Sequence, residues 1–590
     1  MARLAALRRV LASWIAVAAV AGATSVAHAA TLWWDNSGGT TNDWGSVNNW
    51  STTSGGGSSP AGIPGVSDVA TFNATSLTAA QTVNLNNNRS VQGLSFLSTL
   101  SNSVTLQGGG TNRSLDIGSS GVTNASEVAI AIGSGTANQN VAVRLVGSQS
   151  WANNGTQEIV VQGGVSGDGS PNLIFTNSGT GTGGVRFVGS IANSVSKLVQ
   201  DSATSQLILR NTNAFTGGVE VKQGVLAFGN AVTNLGTGTL TLGVNGGTGA
   251  VRAEVQDNGN MTFNNAIVLA TGHTGTITIR MNEDQVGVSH SKTFTGGITG
   301  TNSFTIQNNG GDDNLNFDTG SINNVGAITH TGTATTGVTT INAVIGANVT
   351  GLTQSGPARL VLNGNNTFTG PTTISGGTLT LGANGSFANS STITVASGGR
   401  LNLEGKFTSG FTFGSGQTLA GAGLVALPTV GPGVSLAGFL APGTVTAGTL
   451  AFEGAGTFNI TSAITSQTGR LQFGLAAPGV SDRVTVASGT LTIGSGLLNF
   501  DDFAFTNLGG LNQGTYTLFS AATLSGSLGT SLSGSISGGY TGTLQTSGNT
   551  IQLVVVPEPA GIALAGIGVA AAALVRRLCR RDEPAADARS

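Results

Sequence analysis

The feature that most constrains this chain is a motif that returns at a fixed distance. Asn213-Ala214-Phe215-Thr216-Gly217 recurs as Asn366-Thr367-Phe368-Thr369-Gly370, and Leu207, Leu209, Gly224, Leu226 and Gly229 correspond to Leu360, Leu362, Gly377, Leu379 and Gly382. The offset, 366 − 213, is 153 residues throughout. A shorter echo, Thr293-Phe294-Thr295-Gly296, lies between the copies. A repeated segment of this size is one supersecondary unit that buries its apolar face by stacking on a neighbour.

The unit is a strand unit. Leu379 and Leu381, Ile393 and Val395, then Leu401 and Leu403 alternate with Thr or Asn, the period of a half-buried strand. Gly376-Gly377 and Gly398-Gly399 mark corners, where a chain that turns after every short strand needs positive φ. The predicted fold class is all-β: a right-handed parallel β-helix, or β-solenoid, of about twenty coils of ~20–25 residues. Inward Leu, Val and Ile form columns, and Thr, Ser and Asn decorate the outside. A split into sandwiches is the alternative. It bears most on Asn499 to Val555, where repeat signals thin out, and that segment is read as a terminal β cap that shields an open strand edge.

Composition supports a packed body without charge or disulfides. The 590 residues include 94 glycines, are 39% hydrophobic and only 8% charged, and carry a net charge of −2. Disordered chains are poorer in aliphatics and more charged. The clusters of Lys and Arg lie only at the two ends, so no basic face for nucleic acid is expected. The single cysteine, Cys579, falls inside the C-terminal arginine cluster, which leaves the body without disulfides or cysteine zinc sites.

Both ends read as addresses. Arg3, Arg8 and Arg9 precede an apolar run from Val10 to Ala23 and small residues ending in Ala27-His28-Ala29. This is the pattern of a signal peptide over residues 1–30, with signal peptidase and a Sec-type export machinery as partners. Ala27 and Ala29 fit the peptidase pocket, and cleavage is expected after Ala29 or Ala30. At the other end Val556-Pro557-Glu558-Pro559 introduces an apolar run from Ala560 to Val575, closed by Arg576, Arg577, Arg580 and Arg581. A run of that length reaches about 24 Å against a hydrocarbon core of ~30 Å, so it reads as a short transmembrane helix and a transient inner-membrane anchor. The arginines hold the tail, 582–590, in the cytoplasm.

The order of Val-Pro-Glu-Pro, apolar helix and arginine cluster over Val556 to Arg581 resembles the PEP-CTERM sorting signal. That resemblance implies recognition through Pro557, Glu558 and Pro559 and cleavage by an exosortase, a membrane-embedded cysteine protease of outer-membrane bacteria that make exopolysaccharide. Leu360 to Gly382 resembles the autotransporter-associated β-strand repeat, in which Asn-Thr-Phe/Tyr-Thr-Gly leads into Gly-x-Leu-x-Leu-Gly. The sorting tail stands where an autotransporter has its translocator barrel, so self-export is not implied.

Side chains that could carry chemistry are few. Trp33, Trp34, Trp44 and Trp50 cluster in residues 31–60; they either stack on sugars or close the first coil, and a terminal repeat's need to hide an apolar edge favours a cap. Asp312-Asp313 with Asp318, Glu283-Asp284 and Asp501-Asp502 pair acids, but neighbours on a strand face opposite ways, unlike the facing pair of a glycosidase. Asn308 to Asp318 reads as a solvated turn in preference to a calcium loop. His273, His290 and His330 lack metal-ligand spacing and are expected at the surface. Glycine-rich stretches lack the context of a phosphate loop.

The organisation expected is a signal peptide, a Trp-rich cap at 31–60, a β-repeat body at 61–498, a β cap at 499–555, a sorting signal at 556–581 and the tail. The expected function is a structural or adhesive surface protein with exopolysaccharide or cell-surface glycans as partners. No catalytic residue, metal site or cofactor is expected. A polysaccharide-active enzyme or a glycan-binding module on a β-helix is the alternative.

Overall fold

The computed structural model describes residues 30–36, 42–54, 62–73, 79–229, 234–256, 259–282, 288–443 and 445–558. Contacts divide the chain into two compact units, Met1–Asn348 and Val349–Ser590. Each is built mainly of short strands, most of which pair in parallel with the equivalent strand of the next coil.

In the first unit, Thr31–Trp34 pairs in parallel with Val69–Phe72 and in antiparallel with Trp50–Ser51. From there the pairing is parallel: Val69 to Phe72 lies beside Gly93 to Phe96, and Gly93 to Phe96 beside Gly121 to Asn124. Alternation places every second side chain inside, as in the buried–exposed pattern of Val141–Leu145. Inward residues at matching register stack into columns. Phe72 lies flat on Phe96 with ring centroids 4.9 Å apart, and Phe263, Phe294 and Phe317 follow one another at 5.1 and 5.5 Å. Burial of each such side chain contributes about 1.5–3 kcal/mol, repeated coil after coil.

The step between coils varies. It is 19 residues from Leu207 to Leu226, 31 from Ile267 to Ile298 and 38 from Thr31 to Val69. The expected ~20–25 residues per coil therefore holds for only some coils. Strands keep register because backbone pairing and inward side chains fix them, while corners face water and take up the difference.

Polar side chains are not confined to the outside. Asn124 Nδ2 donates to Asn153 Oδ1 at 2.9 Å and Asn177 Nδ2 to Gln200 Oε1 at 2.8 Å, all four fully buried. These amides satisfy main-chain groups that the corners would otherwise strand in the core. Gln200 Nε2, for example, reaches the oxygens of Ser202 and Ser205 at 2.8 and 2.7 Å.

The second unit repeats the plan. Thr372–Ile374, Thr392–Val395, Thr418–Gly421 and Phe439–Pro442 form one parallel series. Arg359–Leu362, Gly377–Leu381, Gly399–Asn402, Leu424–Ala426 and Thr449–Glu453 form another. At the two expected corners only Gly377 and Gly398 have positive φ, 59° and 88°. Gly376 and Gly399 are required for a different reason: a Cβ on Gly376 would come within 2.6 Å of the Ser355 oxygen, and one on Gly399 would overlap the Ile374 oxygen.

Parallel pairing continues past residue 498, where Phe503–Asn507 lies on Leu471–Leu475. Antiparallel pairing then joins Gly514–Leu528, Thr550–Pro557, Tyr540–Ser547 and Ser533–Ile536. Among the described residues no helix is long and apolar enough to cross a membrane. The apolar run Ala560 to Val575, like Ala27 and Ala29, lies outside the described residues.

Candidate functional site

The two copies of the repeated motif share one local geometry. Asn213 and Asn366 are buried, and each spans to the following coil: Asn213 Nδ2 to the Asn234 oxygen at 2.7 Å, Asn366 Nδ2 to the Ser386 oxygen at 2.9 Å. Phe215 and Phe368, two residues on, are fully buried. Leu207 pairs with Leu226 and Leu360 with Leu379, a step of 19 residues in both. Ahead of each copy a buried glutamine closes the corner, Gln354 reaching the Gly356 and Ala358 oxygens at 2.7 and 2.8 Å as Gln200 reaches its own pair. The repeated Asn and Phe are thus structural: one secures the main chain of the next coil, the other fills the core.

Of the processing residues, Ala30 is exposed, and its oxygen accepts from Val69 N–H at 2.9 Å. Pro557 and Glu558 are exposed at the end of the strand Thr550–Pro557. Pro557 lies opposite Tyr540, and Glu558 N–H donates to the Gly539 oxygen at 2.8 Å. Pro559, Arg576, Arg577, Arg580 and Arg581 lie outside the described residues.

Three of the four clustered tryptophans are in the core: Trp34, Trp44 and Trp50 are at most 1% exposed. Trp50 packs edge-on to Trp34 and Trp44 with centroids 5.1 and 4.8 Å apart, and all three contact Phe72. Rings so enclosed cannot stack on a sugar; Trp33 is half-buried.

The acidic pairs separate, but not by strand alternation: Asp312 and Asp313 lie in the turn before the strand Asn314–Phe317, and Asp501 and Asp502 in the short 3-10 helix Phe500–Asp502. Asp313 is buried and Asp312 half-exposed beside Thr336, while Asp318 accepts from Asn342 at 2.7 Å. Asp502 is buried in a capping box with Asn499, and Asp501 is exposed. Burial pushes the Asp502 carboxyl up, the Asn499 N–H opposes this, and the Asp501 charge adds to it. Glu283 and Asp284 lie outside the described residues. Among the described residues no group of three or more metal-ligating side chains converges.

The expectation that the histidines lie at the surface is overturned. His330 is fully buried with Nε2 2.9 Å from Thr339 Oγ1. His273 is buried over Gly243 and Gly247, whose missing side chains make room for its ring. His290 is half-buried and joins a polar cluster that spacing alone did not reveal. Its main-chain N–H donates to Asp313 Oδ1 at 2.6 Å and its Nδ1 lies 3.4 Å from the same oxygen. Lys292 is fully buried with Nζ 3.9 Å from Asp313 Oδ2. Desolvation raises the Asp313 carboxyl, against the pull of the His290 N–H.

The outward faces carry hydroxyls and amides in register. Thr262, Thr293, Asn316 and Thr340 form one row of the first unit; Thr353, Thr373 and Thr394 form one of the second. The second unit also has an open groove of about 570 Å³ floored by Gly399, Gly423 and Ala451. Arg400 stands in it with Nε donating to Glu453 Oε1 at 2.6 Å. Of the small residues on its floor Gly399 and Gly423 are buried and only Ala451 holds an outward strand position, so alternation alone gave no signal for the groove.

A family model described as the passenger-associated transport repeat matches residues 204–228 and 352–381. A stretch of 103 residues, 17% of this chain, is 38% identical to "Adhesin BmaC autotransporter" of Brucella suis biovar 1 (strain 1330), where it spans 3% of that protein's length. No solved structure matches the chain. The two matched segments hold the two 19-residue steps, so the chain carries two autotransporter-type passenger repeats within its parallel β-repeat body.

Proposed function

We propose that this chain is an exported cell-surface protein whose role is structural and adhesive, not enzymatic. The observation that carries this reading is the pair of passenger-associated repeats set in a body of stacked parallel strands; the likeness of one stretch to an autotransporter adhesin agrees with it. Rows of Thr and Asn on the outer faces offer many weak hydrogen bonds to exopolysaccharide or cell-surface glycans, and multivalency makes such contacts strong together.

Delivery follows from the two ends. Signal peptidase removes the leader after Ala29 or Ala30 following Sec-type export, and the apolar run before Arg576 anchors the chain transiently in the inner membrane. An exosortase then recognises Pro557, Glu558 and Pro559 and releases the body to the surface. The exposed positions of Pro557 and Glu558 at a strand end are compatible with such recognition. Fractionation of tagged cells with and without the exosortase tests this route: the protein should move from the surface fraction to the inner membrane when the enzyme is missing. Equal surface display in both strains, or unchanged adhesion and matrix retention in a deletion strain, would remove the support for this reading.

A further inference from the structure

Lys292 occupies a core column. In the parallel series Met261, Lys292, Leu315 and Thr339 stand at one register position, and Lys292 is fully buried there. The amine points to the Gly259 oxygen and to the carboxylate of Asp313, itself 1% exposed. Nζ and Oδ2 are 3.9 Å apart, beyond hydrogen-bond reach, and Oδ2 makes no hydrogen bond. An ion pair so placed carries a desolvation cost that close hydrogen-bonded contact would ordinarily offset. A neutral amide linking the two groups would not.

We propose that Lys292 and Asp313 condense into an intramolecular amide, a covalent staple between neighbouring coils of the first unit. The Asp313 carboxyl is set up for attack on one side. Its Oδ1 accepts the His290 main-chain N–H at 2.6 Å, which holds the oxygen where negative charge develops. Its raised affinity for a proton, caused by burial, favours the acid form that can lose hydroxyl. Lys292 Nζ, as the neutral amine, attacks Cγ; the C–N bond forms and the C–Oδ2 bond breaks. Oδ2 leaves as water, carrying the acid's proton and one proton from the amine, and Oδ1 becomes the amide oxygen. No oxidant or other co-reactant enters. The exported body has no cysteine with which to make a disulfide, so an amide is a cross-link its own residues could supply.

The test is mass spectrometry of the folded, exported protein. Its intact mass should fall one water short of the mature sequence, and a tryptic digest should contain a branched peptide joining the segment around Lys292 to that around Asp313. Lys292→Met, which matches Met261 in the same column, and Asp313→Ala should each carry the full mass and give only linear peptides. A folded wild-type protein of full mass, with Lys292 open to amine acetylation on denaturation, would overturn the proposal.

Discussion

Asn213 Nδ2 donates to the main-chain oxygen of Asn234 at 2.7 Å, 21 residues further along the chain. The bond joins a side chain of one coil to the backbone of the next, and the second copy of the motif makes the same bond from Asn366 to Ser386 over 20 residues. Replacing either asparagine by alanine leaves a buried carbonyl without its donor, at a cost of about 1–3 kcal/mol. Asn366→Ala should therefore raise hydrogen exchange in the coil that holds Ser386. Unchanged protection there would show that water takes the place of the amide.

Gly377 and Gly398 both have positive φ, but their surroundings differ. A Cβ on Gly377 would overlap the Gly356 oxygen, whereas nothing lies within 4 Å of one on Gly398. Alanine at Gly398 should cost about 1–3 kcal/mol from backbone strain alone, and alanine at Gly377 clearly more. Denaturation midpoints of the two variants give the ranking directly; equal midpoints would mean that the backbone yields at Gly377.

Trp44 is fully buried against Trp50 and Phe72. Trp44→Ala should destabilise the first coils by about 3–5 kcal/mol and blue-shifted tryptophan emission should be lost at lower denaturant. Glycan retention measured under conditions where the variant is still folded should not change.

Asp482 is buried, accepting the N–H groups of Gly474 and Gly448 at 2.7 and 2.8 Å. Desolvation raises its carboxyl above the usual range, and the two N–H groups oppose the rise. The folded state then binds the proton more tightly than the unfolded state. Stability contributed by this group is full below the unfolded carboxylate value and is lost as pH rises through the raised folded value. Wild type should gain stability relative to Asp482→Asn as pH falls from neutral through that window, and parallel pH profiles of the two would contradict it.

The Ala30 oxygen pairs with the Val69 N–H, a bond that the proposed cleavage after Ala29 would retain and cleavage after Ala30 would lose. N-terminal sequencing of the surface form should begin at Ala30. A start at Thr31 would mean that this bond is dispensable.

Much of the fold was legible in the sequence because apolar alternation and glycine corners are local signals. Leu379 and Leu381, or Leu401 and Leu403, turn inward as their spacing requires. The buried polar groups were harder to see. Residue type alone places Asn, Gln and His outside, whereas Asn124, Gln200 and His330 are inside because partners 9 to 29 residues away satisfy them. Those partners are set by register, which no short window contains. Lys292 did leave a trace: it stands two residues before Phe294 in one strand, so alternation assigns both to the same buried face. Pro557 and Glu558 were singled out by residue order alone, and their attachment to Tyr540 and Gly539 depends on a hairpin that this order does not describe.

Within each unit the corners differ in length while the rungs keep their pairing. A gene segment encoding one coil could thus be duplicated and its product would meet its parent through a surface that already fits. Size becomes a matter of copy number, and a lineage could lengthen or shorten such a body without inventing a new core, while point changes at the corners vary what it shows to its surroundings.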